Sequence, residues 1–195
     1  MAREVRGFTL LEVIVSIIIL TAVVTAILPG YNDFAARVNL RRNAQEVALA
    51  IREAQASAFA VRGFDDDNNP VTPHVFVAWG AYFDITINNS LAIFVDVDGG
   101  KDYDSGELVR TVPISNSIKI NRLCKGLKTS ETDDCTIGRL DVIYQRPNPD
   151  TTLRADLFPV SGGGTYADLE IVLETADGSA ESTIVVWSTG QISVE

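Results

Sequence analysis

Two kinds of hydrophobic periodicity divide the chain at about residue 62. Before that point apolar residues follow a helical pattern, and after it short alternating or β-branched runs are separated by turn residues. Periods of about 3.6 and 2 residues are typical of helix and strand. The pattern therefore predicts an α+β protein, in which one long amino-terminal helix packs on an antiparallel, β-rich globular head.

The first part of the predicted helix is almost entirely apolar. Residues 8–28 contain one charged side chain, Glu12. A helix of this length, rising about 1.5 Å per residue, covers the roughly 30 Å hydrocarbon core of a bilayer. Arg3 and Arg6 precede it, and basic residues favour the cytoplasmic side of a membrane. We therefore expect a single pass through the cytoplasmic membrane, with the bulk of the chain exported.

An ordinary secretory signal peptide is the alternative for this segment, because small residues such as Thr25 and Ala26 could precede a cleavage site. Three features weigh against it. The apolar run is longer than the roughly 7 to 15 residues of a signal core, Glu12 lies near its start, and an amphipathic pattern follows almost without a break. We therefore expect the segment to stay attached to the head.

The second part of the helix is amphipathic and is expected to reach about residue 61. One helical face is marked by apolar residues at alternating spacings of four and three, namely Leu40, Ala44, Val47, Ile51, Ala54 and Ala58. Charged residues lie mostly on the other faces, where four arginines form a positive collar, namely Arg37, Arg41, Arg42 and Arg52. Gly63 and the turn-forming residues 65–70 are expected to end the helix.

The remainder of the chain is predicted to be rich in strands. Ten runs have the required pattern, at residues 75–79, 81–87, 91–97, 108–112, 117–120, 136–145, 153–158, 169–174, 182–187 and 191–194. Turn residues separate them, as at Asn88, Asn89, Asp177 and Gly178. Residues 63–195 should therefore form the head.

Composition argues against catalysis and against nucleic acid binding. Twenty-six acidic and 16 basic side chains give a net charge of −10, which repels phosphates. The chain has one histidine and neither a phosphate-binding loop nor a nucleophile motif, so we predict that it is not an enzyme. Cys124 and Cys135 are the only cysteines, and an oxidising compartment outside the membrane would join them in a disulfide.

The densest polar feature lies at residues 96–107. Five carboxylates occupy the first, third, seventh, ninth and twelfth places of an EF-hand calcium loop, namely Asp96, Asp98, Asp102, Asp104 and Glu107. Lys101 departs from that loop at the place of its glycine, Gly100 supplies no side-chain ligand, and the flanking segments are predicted strands. Two interpretations stay open: calcium bound by the five carboxylates, or a solvated acidic hairpin. No cofactor other than calcium is indicated.

The sequence RGFTLLEV, from Arg6 to Val13, resembles the processing site of type IV pilins and type II secretion pseudopilins. The resemblance implies that a prepilin peptidase cuts after Gly7 and methylates the new amino terminus at Phe8. It also implies that Glu12 pairs with the terminal ammonium of a neighbouring subunit during assembly, a partner that a membrane-embedded carboxylate requires. The alternative for Glu12 is a carboxylate that reaches the lipid headgroups.

A second point of resemblance lies further along the helix. Pro29 falls where many pilins have a helix-bending proline, so Pro29 and Gly30 are expected to kink or locally melt the helix. The β-rich head and the closing residues 185–192 resemble the minor group related to secretion pseudopilin H and pilus protein T. In a filament, the arginine collar could meet acidic heads of adjacent subunits.

These resemblances imply a division of the chain into four segments. Residues 1–7 would be the leader, 8–30 the transmembrane and filament-core helix, 31–62 its amphipathic half, and 63–195 the head. The implied function is that of a minor pilin or pseudopilin, stored in the membrane and assembled into a filament outside the cell or in the periplasm. The filament tip is the position that the resemblance implies. Its partners would be other pilin subunits, the prepilin peptidase and an inner-membrane assembly platform. The alternatives are a type II secretion pseudopilin of a short piston and a non-polymerising, calcium-dependent binding module.

Overall fold

The structure is a computed structural model of the 195-residue chain. It describes residues 7–60, 77–126, 128, 134–145, 151–156 and 164–195, without the side chains of 27–32, 156, 164 and 165. Within these residues one helix, α1, is followed by eleven strands. Their bounds are α1 Leu10–Phe59, β1 Ala78–Asp84, β2 Ser90–Asp96, β3 Leu108–Pro113, β4 Ile118–Lys125, β5 Asp134–Ile137, β6 Arg139–Tyr144, β7 Thr151–Asp156, β8 Gly164–Thr165, β9 Asp168–Thr175, β10 Glu181–Trp187 and β11 Ile192–Val194.

Helix α1 begins after Thr9, which caps it. The backbone of Thr9 is extended, and its hydroxyl accepts a hydrogen bond from the Glu12 amide at 3.3 Å. The cap thus satisfies one of the amides that the first turn of a helix leaves free. The helix ends at Phe59, close to the predicted limit. Gly63 and residues 65–70, which we expected to end it, lie outside the described residues.

The carboxyl-terminal half of α1 is the part that packs on the head. All six apolar residues that the helical period predicted to share a face are buried, with exposed fractions of 4% or less, namely Leu40, Ala44, Val47, Ile51, Ala54 and Ala58. The charged residues between them are exposed. The amphipathic prediction is therefore confirmed for residues 40–58.

The head consists of two antiparallel sheets. The first has six strands in the order β3-β2-β1-β6-β7-β8, and the second has five in the order β11-β10-β9-β4-β5. Helix α1 contacts strands β1, β2 and β6 of the first sheet and β9, β10 and β11 of the second. One hydrophobic core includes side chains of α1 and of both sheets, among them Ile51, Phe83 and Leu173. The carboxyl-terminal half of the helix and the two sheets therefore share one hydrophobic core.

Two of the predicted strands are one strand in the structure. The sequence pattern predicts separate strands at residues 75–79 and 81–87, on either side of Gly80. In the structure β1 continues through Gly80. A Cβ atom there would lie 2.5 Å from the Phe94 ring, so this glycine makes room for an aromatic ring of β2. Residues 75 and 76 lie outside the described residues.

The converse difference occurs at predicted run 136–145. This run is divided between β5 and β6, which belong to different sheets and are separated at Gly138. The pattern of buried residues alone does not reveal where a chain passes from one sheet to another. The two-residue strand β8 was not predicted, because it is too short for a period to be recognised.

Candidate functional sites

The predicted cleavage junction lies immediately before the helix. Gly7, Phe8 and Thr9 have no regular secondary structure, and Phe8 is 82% exposed. A Cβ atom at Gly7 would meet no described heavy atom within 4 Å. The Gly7–Phe8 bond is thus an exposed, non-helical peptide bond at the start of a capped helix.

Glu12 occupies the first turn of α1 and is exposed. A negative charge there is favoured by the positive end of the helix dipole. Thr9 and Glu12 also have the spacing of a capping box, of which the structure shows the bond from the Glu12 amide to Thr9. Sequence reasoning missed this local role of Glu12, although the spacing of Thr9 and Glu12 was a sufficient signal for it.

The amino-terminal half of α1 has an unusual surface. Eleven large apolar side chains are exposed along it, and Phe8 just before it is exposed as well. The eleven are Leu10, Leu11, Val13, Ile14, Val15, Ile17, Ile18, Ile19, Leu20, Val23 and Val24. Among the residues described with their side chains, which omit 27–32 in this helix, no helix is long and apolar enough to cross a membrane. The exposed surface nevertheless greatly exceeds the scattered apolar residues of an ordinary protein surface.

The predicted kink site lies where the two halves of the helix join. The backbone of α1 is helical through Pro29 and Gly30, whose side chains and immediate surroundings are outside the description. Helical backbone is compatible with a bend at a proline, which removes one backbone hydrogen bond. The kink therefore stays a prediction.

The predicted disulfide is present. Cys124 and Cys135 are bonded and connect strands β4 and β5. Cys124 is fully buried, whereas Cys135 is exposed. Strand β5 is an edge strand of four residues, and the bond attaches it to β4, which is paired on both sides.

The acidic segment 97–107 connects β2 to β3, which form the predicted hairpin. The structure brings three of the five carboxylates together. Ligand atoms of Asp96, Asp98 and Glu107 all lie within 4.8 Å of one another. Asp96 and Glu107 are 4% and 6% exposed, so they are not the freely solvated side chains of an open turn.

Backbone amides hold the two buried carboxylates in place. The amides of Gly99 and Lys101 donate to Asp96, at 2.7 and 3.1 Å. Glu107 accepts from the amides of Val97, at 2.8 Å, and of Asp104, at 3.0 Å. Each carboxylate therefore fixes the loop backbone, whether or not an ion is bound.

The pKa values of both buried carboxylates are raised. Burial raises the pKa of Asp96, and the adjacent Asp98 carboxylate adds to the rise. Burial also raises the pKa of Glu107, with further contributions from the charges of Asp96 and Asp98. In both cases the backbone amides act in the opposite direction because they stabilise the charged form. A divalent cation would relieve this repulsion, and hard oxygen ligands are the kind that calcium takes.

The other two predicted ligands lie apart from this trio. Asp102 forms an ion pair with Arg154 at 3.1 Å, and Asp104 is exposed. Lys101 has φ 61°, the left-handed conformation that the glycine of the calcium loop usually supplies. Lys101 in place of the glycine therefore leaves the tight turn intact. Of the five predicted ligands, the geometry supports three.

Residues remote in sequence hold the acidic segment against the first sheet. The Tyr103 ring packs on Tyr82 at a tilt of 32°, with centroids 4.7 Å apart, and forms an edge-type contact with Phe94 at 5.5 Å. The Tyr103 amide donates to Asp141 at 3.2 Å. Arg154 donates to the carbonyls of residues 100 and 101, at 2.8 and 3.0 Å. Sequence reasoning missed these anchors, because no local pattern signals contacts with residues on four different strands.

Comparison with known proteins gives one finding, at the amino terminus. A family model described as "Prokaryotic N-terminal methylation motif" matches residues 3–28. No curated protein and no solved structure matches the chain. The match covers Gly7, Phe8 and Glu12, which the structure places at the exposed start of α1. The chain therefore carries a type IV pilin-like prepilin signal, which implies processing by a prepilin peptidase and assembly with other pilin subunits.

Proposed function

We propose that this chain is a minor pilin or pseudopilin that is cleaved after Gly7, methylated at Phe8 and added to a type IV pilus or a pilus-like filament. The methylation motif at residues 3–28 is the observation that carries the proposal. The exposed, non-helical Gly7–Phe8 junction supports it, because a peptidase needs an accessible bond.

The proposal gives the exposed apolar half of α1 two successive environments. Before assembly, residues 8–30, the transmembrane and filament-core helix of this proposal, lie in the cytoplasmic membrane, with the head outside. After assembly, the same side chains pack against the helices of neighbouring subunits. Exposure to water would cost roughly 25 cal/mol for each Å² of apolar surface, so either environment is strongly favoured over water. The carboxylate of Glu12 then needs a cationic partner, which a neighbour's amino terminus supplies.

A calcium-dependent binding module that never polymerises is a second candidate. The specific observation in its favour is the convergence of Asp96, Asp98 and Glu107. In this candidate the chain inserts into the membrane but does not assemble into a filament, so the assembly role that the prepilin signal implies has no counterpart. For the same processed subunit, a type II secretion pseudopilus is the alternative filament to a type IV pilus.

Mass analysis of the amino terminus tests the proposal. We expect filaments sheared from the producing cells to contain a chain that begins at methylated Phe8. Inactivation of the prepilin peptidase should leave the leader attached and remove the chain from the filament fraction. A mature chain that begins after Ala26 would establish ordinary secretion instead. A correctly processed chain that stays in the membrane of filament-producing cells would favour the non-polymerising module.

Inactivation of one assembly system at a time identifies the filament. Loss of the chain from sheared filaments when the pilus platform is removed would assign it to the pilus. Loss when the type II secretion platform is removed, together with accumulation of secreted proteins in a strain without this chain, would assign it to the pseudopilus.

A further inference from the structure

A groove of about 620 Å³ lies between the middle of α1 and the hairpin of β10 and β11. Its helix side is formed in part by Phe34, Arg37, Val38 and Arg41. Phe34 is 66% exposed and Val38 is 48% exposed. Within the described residues, the groove thus presents uncovered apolar side chains between arginines.

The acidic side chains that line the groove have ionic partners, whereas the arginines that line it do not among the described residues. On the strand side, Glu181 is bound by Arg122 and Glu195 by Lys128, in both cases at 2.6 Å. On the helix side, neither Arg37 nor Arg41 forms an ion pair or side-chain hydrogen bond with the part of the chain that the structure describes. The arginines are therefore the charges available to a partner.

Strand β3 shows that the groove and the acidic segment lie at opposite ends of the head. This strand runs beside α1, since the Ser115 amide just beyond it donates to Asn43 at 3.0 Å and Arg110 within it pairs with Glu53. The acidic segment precedes β3, so it lies beyond the level of Glu53. Between Arg37 and Glu53 the helix rises about 24 Å. One end of the head thus offers two arginines beside exposed apolar side chains, and the other end is acidic.

We propose that the groove receives the acidic segment, residues 97–107, of a second copy of this chain. The inference rests on the proposed function, because it specifies a contact between subunits of a filament. It further requires that two copies of this chain be adjacent in that filament. Charge complementarity identifies the occupant: Asp98 and Asp104 are exposed on the acidic segment, and the groove offers Arg37 and Arg41.

The symmetry of this contact suits a filament. A contact between two different patches is heterologous, so each copy keeps one free groove and one free acidic segment. Such a contact propagates into an open helical assembly unless the rotation between copies closes a ring. The chain as a whole carries a charge of −10, so its heads repel one another, and a local contact between opposite charges offsets that repulsion.

Photo-crosslinking in filament-producing cells tests the contact directly. The full chain, with a photoreactive benzoylphenylalanine in place of Val38, is irradiated, and sheared filaments are analysed by mass spectrometry. We expect a product of twice the mass of the chain, in which position 38 is joined to a peptide from residues 97–107. A product with a different subunit, or with another segment of this chain, would overturn the inference.

Charge exchange tests the electrostatic part. The double variant Arg37→Asp and Arg41→Asp should lower the crosslink yield by at least about tenfold, since opposed like charges cost a contact well over 1.4 kcal/mol. The variant Asp104→Arg, at an exposed carboxylate outside the candidate metal site, should lower it as well. Mixed expression of this variant and the groove variant should restore a crosslink between them. Failure of the mixture to restore it, with both chains present in the membrane, would contradict the pairing.

Two controls separate charge from folding and from the proposed function. Arg42→Asp changes the net charge of the same helix by the same amount for each residue, but Arg42 does not line the groove, so the crosslink should persist. Arg37→Lys with Arg41→Lys keeps the charge and should also preserve it. A wild-type chain that is processed and incorporated without the crosslink overturns only the groove contact. A wild-type chain that never enters filaments overturns both proposals.

Discussion

Arg154, in strand β7, forms an ion pair with Asp102, on the segment between β2 and β3, with Nη1 3.1 Å from Oδ1. The same nitrogen donates to the backbone carbonyls of Gly100 and Lys101. One partly buried side chain therefore binds the acidic segment at three points, and it does so from the fourth strand away from β3 in the sheet order. The segment is consequently an ordered part of the head.

Removal of this anchor should destabilise the head measurably. We expect Arg154→Met to lower the free energy of unfolding by about 1 to 3 kcal/mol, because hydrogen bonds to charged groups contribute about that much and two carbonyls lose their donor. Urea unfolding of the purified chain measures the change. As a control, Arg122→Met removes a more exposed pair, with Glu181, and should cost no more than about 1 kcal/mol. Equal effects of the two variants would contradict the anchoring role.

Calcium should stabilise the head if the acidic segment binds it. We expect the thermal midpoint of the wild-type chain to be higher in millimolar calcium than in chelator, because an ion that binds only the folded state adds stability. Asp98→Asn should remove most of this calcium-dependent rise. Asp177→Asn, on a turn outside the segment, should retain it. An unchanged midpoint of the wild-type chain would leave only the hairpin interpretation.

The raised pKa values of Asp96 and Glu107 predict a pH dependence in chelator. A carboxyl with a folded-state pKa above its unfolded value binds protons more readily in the folded state, so its contribution to stability is present at low pH and is lost as pH rises through the folded pKa. We therefore expect Glu107→Gln to lose less stability than the wild type as pH rises from about 4 to 7. Urea unfolding at several pH values measures both slopes. Parallel slopes would show that the pKa of Glu107 is not raised in the folded chain.

Sequence reasoning identified those parts of the fold that depend on local pattern. The buried face of α1 from Leu40 to Ala58 follows from a period of 3.6, and the hairpin around Asp98 follows from two strands with a turn between them. The disulfide followed from a count of two cysteines. The first two inferences need only the pattern of residues close together in sequence. The disulfide needs only the oxidising compartment in which the head is expected to lie.

The parts that sequence reasoning missed depend on contacts between distant residues. In the sequence Gly80 indicates a break between two strands, but in the structure it makes room for the Phe94 ring within one strand. Gly138 separates two strands that belong to different sheets. In the candidate metal site, five carboxylates were predicted and three converge, because Arg154 holds Asp102 in another direction. A spacing of acids along the chain does not specify which of them face one point in space.

The disulfide should contribute substantially to stability. Cys124→Ser with Cys135→Ser is expected to lower the free energy of unfolding by somewhat under about 3 kcal/mol, since the bond closes a short loop and restricts the unfolded chain. Urea unfolding of the oxidised wild type and of the double variant measures it. Because Cys124 is fully buried, Cys124→Ala with Cys135→Ser separates the loss of the bond from burial of a new hydroxyl. No loss of stability in this second variant would contradict the prediction.

Glu12 is expected to serve assembly more than membrane insertion. A carboxylate within a membrane helix costs on the order of 2.5 to 3.5 kcal/mol on insertion, so Glu12→Ala should insert as well as the wild type or better. Its incorporation into filaments should fall, because the neighbour's terminal ammonium loses its partner. The two quantities are measured as the amounts of chain in the membrane fraction and in sheared filaments.

The helix cap offers a second explanation for such a defect, and the structure separates the two. Thr9 accepts the hydrogen bond of the cap, whereas Glu12 contributes its amide to that bond and places its carboxylate in the first turn. Thr9→Val should therefore weaken the cap by about 1 kcal/mol while leaving the charge of Glu12 in place. Glu12→Gln keeps the amide and the size of the side chain but removes the charge. Reduced incorporation of Glu12→Gln with near-normal incorporation of Thr9→Val supports charge pairing, whereas the reverse order would assign the defect to the cap.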